Sequence, residues 1–307
     1  MTNRILAAVD GRPESVGALR TALWLNETGG NEVTVLTVLE SVGLFDPGLT
    51  PSPLHYAGLE NRQVNSLRRA VQDKIRALGA DVLEDAVRVE IGPPARTIVW
   101  AAHRAGASLI VMGIGGHGAM DRLAGREVAL QVARLAHVPV LAVPRYVSAL
   151  PRRVLVGLDF SSFGQETLRA LPAVLAPDAE VHLAHAISPR ASDSEGWLQL
   201  YTAHGPRVRQ AIEQAAMELE LAHGIRAVVH VVEGDPARSL LDLAEELDVE
   251  LIATGSHGHG FWSRLVLGSV SSRVLRGARC AVLVVPPPEL PAELVHHASP
   301  AGGLAVP

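Results

Sequence analysis

Cysteine is nearly missing: Cys280 is the only one in 307 residues. One thiol excludes an intrachain disulfide framework and suits a reducing compartment. Aromatic residues make up 4% of the chain, too few for the stacking platforms of single-strand binders. Neither sign of charge dominates, with 27 Lys and Arg against 32 Asp and Glu and a net charge of −5. No nucleic-acid face and no acidic tail is implied. No apolar run reaches membrane-spanning length. Met1-Thr-Asn-Arg leads toward a strand pattern instead of a secretory leader. A cytoplasmic protein with no nucleic-acid or membrane partner is the expectation. Catalytic signatures are also lacking. There is no nucleophile elbow, no pair of carboxylates on one recognisable element and no Walker lysine.

What the chain does have is a hydrophobic content of 48%, enough for a sizeable core, and an internal repeat. Gly92 to Pro144 aligns with Gly234 to Pro286 without a gap. Gly92-Pro-Pro-Ala-Arg matches Gly234-Asp-Pro-Ala-Arg, and Gly116-His-Gly118 matches Gly258-His-Gly260. The starts match as well, Arg4-Ile-Leu-Ala-Ala-Val-Asp10 with Arg153-Val-Leu-Val-Gly-Leu-Asp159. A period near 150 residues marks a duplicated domain and not a solenoid. The expected division is residues 1–147, residues 151–288 and a mobile, Pro- and Ala-rich tail over 289–307.

Each repeat alternates strand and helix patterns. In the first, the strands read as Ile5–Val9, Val33–Leu39, Ala86–Ile91, Leu109–Met112 and Val140–Val143. Helices are expected over Ser15–Leu25, near Leu59–Leu78, over Ala95–Ala105 and before the last strand. In the second, strands are expected at Val154–Leu158, Glu180–Ile187, Ala227–Val232, Leu251–Ala253 and Ala281–Val285. The helices there read as Ser162–Leu175, Pro206–Ala222, Ala237–Leu247 and Ser269–Gly277. This alternation implies α/β architecture, a doubly wound parallel sheet in each repeat, with ligands at the carboxyl ends of the strands. The short apolar strands Val140–Val143 and Val282–Val285 are expected to meet, since bare edges invite aggregation.

The chemistry concentrates between Glu250 and Val270. Leu251-Ile-Ala253 runs into Gly255-Ser-His-Gly-His-Gly260, and Gly268-Ser269 then opens a helical pattern. Glycines permit close backbone approach and positive φ. A helix start offers free N–H groups and the positive end of the dipole. Together they read as a phosphate cradle. In the first repeat Arg126, Glu127 and Ala129 replace Gly268, Ser269 and Ser271, which puts a side chain and a negative charge where phosphate would sit. Other residues have plainer readings beside functional ones. Asp10 and Asp159 suit helix capping. His257 and His259 lack the partners of a zinc site, so no metal is assigned. His182 and His185 face opposite sides of one strand. Trp100 and Trp262 suit packing.

The spacing Gly255, two residues, Gly258, nine residues, Gly268-Ser269 resembles the nucleotide signature of the universal stress protein family, in its ATP-binding subgroup. Both repeats resemble its domains, so the likeness spans about residues 1–288 and is to the tandem members. The resemblance implies two Rossmann-like, adenine nucleotide alpha hydrolase-like domains related by a pseudo-two-fold, an intramolecular pseudo-dimer open to further pairing as a homodimer. It implies ATP, alone or with magnesium, as the ligand. Carried over by motif position, Gly157, Leu158 and Asp159 touch the nucleoside and Ala186 the adenine. Thr254, Gly255, His257 and Gly258 flank ribose and phosphates, and Gly268, Ser269, Val270 and Ser271 hold the phosphates. The function implied is a stress-responsive regulator or sensor with little or no turnover. Two rivals stay open at this point: a nucleotide hydrolase or nucleotidyl transferase, and a nucleotide-free interaction scaffold.

Overall fold

The computed structural model describes residues 3–12, 15–40, 53–80, 86–114, 119–159, 162–187, 194–256 and 267–287. The chain forms two compact units. Of the described residues, one holds those up to Leu135 and Pro144–Val147, and the other holds Ala136–Val143 and those from Ser148 to 287. The expected tail at 289–307 lies outside the described residues.

In the first unit, β1 (Arg4–Ala8), β2 (Glu32–Leu39), β3 (Val87–Ile91) and β4 (Leu109–Gly113) form a parallel sheet in the order β3-β2-β1-β4. The helices α1 (Val16–Gly29), α2 (Pro53–Ala77), α3 (Pro94–Ala105) and α4 (Ala119–Leu135) connect or follow the strands. The strands read as near-continuous apolar runs because helices cover both faces of such sheets. Leu6, Leu36 and Ile110 are fully buried. Val71 and Ile75 of α2, four residues apart, turn one helix face inward.

The second unit contains β5 (Val140–Val143), β6 (Arg153–Gly157), β7 (Glu180–Ile187), β8 (Ala227–Glu233), β9 (Leu251–Gly255) and β10 (Ala281–Val285). Their order is β5-β10-β9-β6-β7-β8. All pairs are parallel except β5 with β10, which is antiparallel. There Val282 stands opposite Ala142, Leu283 opposite Leu141 and Val284 opposite Val140. The two terminal strands therefore meet as expected. Every residue of both is buried, and burial of an apolar side chain of this kind contributes roughly 2 kcal/mol. The helices are α5 (Ser162–Ala170), α6 (Ser194–His223), α7 (Pro236–Glu246) and α8 (Ser269–Gly277).

Three expected helix boundaries differ. α2, expected near Leu59–Leu78, begins at Pro53. The helix expected over Ser162–Leu175 stops at Ala170 and continues as a 3-10 turn, Leu171–Val174. Pro172 lacks the N–H that another α-helical turn requires. The helix expected to begin at Pro206 instead runs from Ser194, with Pro206 inside it. A proline suits a first helical position, but here it only removes one bond from a longer helix.

Burial pushes the Cys280 thiol up to about 11, so it stays protonated as part of the packing. Among the described residues no helix is long and apolar enough to cross a membrane.

His182 and His230 meet across β7 and β8, with Nδ1 of His182 3.0 Å from Nε2 of His230. Burial holds both imidazoles below their usual range, and for His230 the charge of His182 adds to this. Glu180 and Glu246 act in the opposite direction. A histidine lowered in the folded state binds fewer protons than in the unfolded chain. Stability is thus present above the unfolded value of 6.5 and is lost as the pH falls below it. Thermal midpoints followed from pH 8 to pH 5 should drop from near pH 6.5 downward. The drop should be smaller in His230→Gln. A flat or rising profile would contradict the pairing.

Candidate functional site

The second unit turns its strand ends into a cleft. The chain leaves β6 for β7 on one side, while β9 lies on the other, so a crevice opens at the carboxyl ends of β6 and β9. β6 ends in Gly157-Leu158-Asp159. The Leu158 N–H donates to the Ala184 carbonyl at 2.8 Å, which extends the pairing with β7 past the strand end. Gly157 leaves room for α7: a Cβ there would stand 2.8 Å from Leu240 Cδ1 and push that side chain aside.

β9 ends in Thr254-Gly255, and Ser256 then anchors the loop. Its N–H donates to the Val285 carbonyl and its carbonyl accepts from the Gly268 N–H, each at 2.7 Å. The ends of the loop are thereby pinned together. Gly268 is the N-cap of α8, with φ −55°, ψ 149° and no side-chain cap. The first N–H groups of a helix have no intrahelical acceptor. Here the first helical bond observed is Ser272 N–H to the Gly268 carbonyl at 2.9 Å. The start of α8 therefore presents the N–H groups of Ser269, Val270 and Ser271 without a capping side chain.

Two expectations about these residues are corrected. Neither Gly255 nor Gly268 is among the described glycines with positive φ. Glycine at these positions leaves room and does not supply a special conformation. The Ser271 hydroxyl, expected to reach phosphate, donates to the Gly255 carbonyl at 2.8 Å. It ties α8 to the end of β9, leaving the Ser271 backbone N–H as its donor for a ligand.

The cleft has a volume of about 250 Å³. All the expected site residues line it except His257 and Gly258, which lie outside the described residues. Thus Gly157, Leu158, Asp159, Ala186, Thr254, Gly255, Gly268, Ser269, Val270 and Ser271 come together. Thr254 is 4% exposed and its Oγ1 has no hydrogen-bond partner. A buried hydroxyl left unpaired costs about 1–3 kcal/mol, and this one is shielded from the cleft as well.

Sequence reasoning missed Ala184, His185, Pro236 and Leu240 in the wall. Ala184 was reachable through register, since it stands opposite Gly157. His185 contacts the Leu158 carbonyl through Nδ1 at 2.7 Å. A carbonyl only accepts, so Nδ1 carries the proton. Pro236 and Leu240 come from α7, whose start is signalled by Gly234-Asp-Pro-Ala-Arg, the match of Gly92-Pro-Pro-Ala-Arg in the first repeat. Gly234 has φ 124°, and a Cβ on it would meet Ser239 Oγ at 2.9 Å, so glycine is required at this turn. Among the described residues no group of three or more metal-ligating side chains could hold a metal ion.

The first unit does not reproduce this arrangement. Arg126 and Glu127, the counterparts of Gly268 and Ser269, lie inside α4, which begins at Ala119. The backbone N–H groups there belong to a helix interior. Asp10, the counterpart of Asp159, accepts the Arg12 N–H at 3.0 Å through Oδ1, and Arg12 Nε stands 3.7 Å from Oδ2.

The model of the universal stress protein family matches residues 1–144 and again 151–286. The chain belongs to the universal stress protein family. A universal stress protein of Mycobacterium tuberculosis is 28% identical over 300 residues, spanning 91% of this chain and 96% of the relative. Universal stress protein A homolog 1 of Coxiella burnetii is 30% identical over 142 residues, 44% of this chain and 95% of the relative. That relative is therefore about one repeat long. The crystal structure of a universal stress protein from Archaeoglobus fulgidus has the same fold, with a TM-score of 0.61 and 24% identity. That match covers 93% of this chain and 96% of the other.

Proposed function

We propose that this universal stress protein binds ATP in the cleft of its second unit and acts as a stress-responsive regulator with little or no turnover. The observation that carries the reading is the uncapped start of α8 lining the same cleft as Asp159, Leu158 and Ala186. Backbone N–H groups and a helix dipole favour a phosphate. The Asp159 carboxylate suits a ribose hydroxyl or an adenine amine, and the apolar Leu158, Ala186 and Leu240 suit a base. In the order of the wall, the nucleoside lies against the ends of β6 and β7 and the phosphates against α8. Magnesium would accompany the phosphates without a dedicated ligand set from the described residues.

Mass spectrometry of ligand released from denatured protein is the first test. An adenine nucleotide is expected, and protein that neither carries nor binds one would favour a nucleotide-free scaffold. Phosphate release well above that of a cleft variant would favour a hydrolase.

Thr254→Val makes a sharper prediction. It removes an unpaired hydroxyl with little change of shape, so stability should rise by about 1 kcal/mol. ATP affinity should stay close to wild type, because the Oγ1 atom is shielded from the cleft. Denaturant melts and calorimetric titration read the two effects. A destabilised variant would show that the hydroxyl serves the fold, and weakened binding would show that it reaches the ligand.

A further inference from the structure

An ion pair at the rim of the cleft has no part in the reading above. Asp235 is the N-cap of α7, and its Oδ1 accepts the Arg238 N–H at 3.0 Å. Its Oδ2 accepts from Arg273 Nη1 of α8 at 2.6 Å. The Arg273 guanidinium is the main cause that holds the Asp235 carboxyl below the usual range, helped by the Arg238 N–H. Asp235 is therefore charged throughout neutral pH.

Both residues stand one step from the cleft. Pro236, next in the chain to Asp235, lines it, and so does Ser269, one helical turn before Arg273. Helical side chains lean toward the N-terminus of their helix, which brings the guanidinium of Arg273 back toward the start of α8. The pair is half-exposed, so it adds little to stability. In the first repeat the matching residues are Pro93 and Gln131, and Pro93 makes no side-chain cap. The pair accompanies only the cleft with the open helix start.

The position has an electrostatic consequence. An uncapped helix start favours an anion. The cation at Arg273 strengthens that preference, and the carboxylate at Asp235 opposes it. While the two are bonded, their charges largely cancel as seen from the cleft. We propose that Asp235 and Arg273 are specificity-determining residues, with Asp235 holding Arg273 back and so limiting how strongly the cleft favours the more highly charged nucleotides. This rests on the nucleotide reading of the cleft. The variants Asp235→Asn and Arg273→Gln separate this role from that of a simple brace. Asparagine caps a helix about as well as aspartate, so Asp235→Asn keeps α7 capped and releases Arg273.

The test is calorimetric titration of the full chain and both variants with ATP, ADP and AMP at fixed ionic strength. Circular dichroism establishes that each variant is folded. Arg273→Gln is expected to weaken ATP binding about tenfold and Asp235→Asn to tighten it about threefold. Both changes should shrink from ATP to AMP and fade at high salt. A brace between α7 and α8 would give weaker binding in both variants, equal for the three nucleotides. That result overturns the proposal and leaves the cleft a nucleotide site. Wild-type protein that binds none of the three overturns both.

Discussion

One ATP per chain is the expected stoichiometry, held by the second unit. The two repeats share strand ends and the first loop glycines, but they diverge where phosphate would bind. In the second, α8 begins at Ser269 behind Gly268. In the first, the matching Arg126 and Glu127 fall within α4, so the N–H groups there are turned into a helix and not toward a ligand. Losing one or two charge-assisted hydrogen bonds, each worth about 1.5–3 kcal/mol, lowers affinity by one to several powers of ten. Glu127 adds like-charge repulsion, and Asp10 is engaged with Arg12. Calorimetric titration should give a single site. Two equivalent sites per chain would show that Arg126 compensates as a phosphate-binding cation.

Gly268→Glu should abolish ATP binding while the fold survives. The backbone of Gly268, φ −55° and ψ 149°, is open to any residue, so the substitution need not disturb the chain. Gly268 is nevertheless buried and lines the cleft, so a side chain there enters the space of the phosphates. A carboxylate about 4 Å from a phosphate costs about 1 kcal/mol in water and about 4 kcal/mol near a protein surface. The upper figure is a loss of roughly a thousandfold. Circular dichroism and melting should remain close to wild type. Unchanged affinity in a folded variant would remove the cradle from the account.

Much of this was legible in the sequence. β5 and β10 are apolar runs bounded by proline or charge, β7 alternates apolar and polar residues over most of its length, and the limits of all three match those expected. α8 was legible because Gly268-Ser269 marks its start and Ala278 follows its end. The family resemblance that the spacing of Gly255 and Gly268 supports brought most of the cleft wall into view. What stayed hidden depends on tertiary placement or on rotamers. Leu240 and Pro236 enter the cleft because α7 packs over β6 and β7, which no local pattern encodes. The Ser271 hydroxyl turns back to the Gly255 carbonyl, an acceptor that only the folded structure identifies. Pro206 illustrates a local signal overridden: a proline fit to begin a helix is carried inside a longer one. The Asp235–Arg273 pair joins residues from two helices and is invisible until both are placed.

The central claim is that ATP occupies the cleft of the second unit. A crystal structure of the protein grown with a non-hydrolysable ATP analogue tests it most directly. The predicted result is density with the base between Leu158, Ala186 and Leu240 and the phosphates at the N–H groups of Ser269 and Val270, with none at Asp10 or Gly113. Density at Gly113, or an empty cleft at saturating analogue, would contradict it.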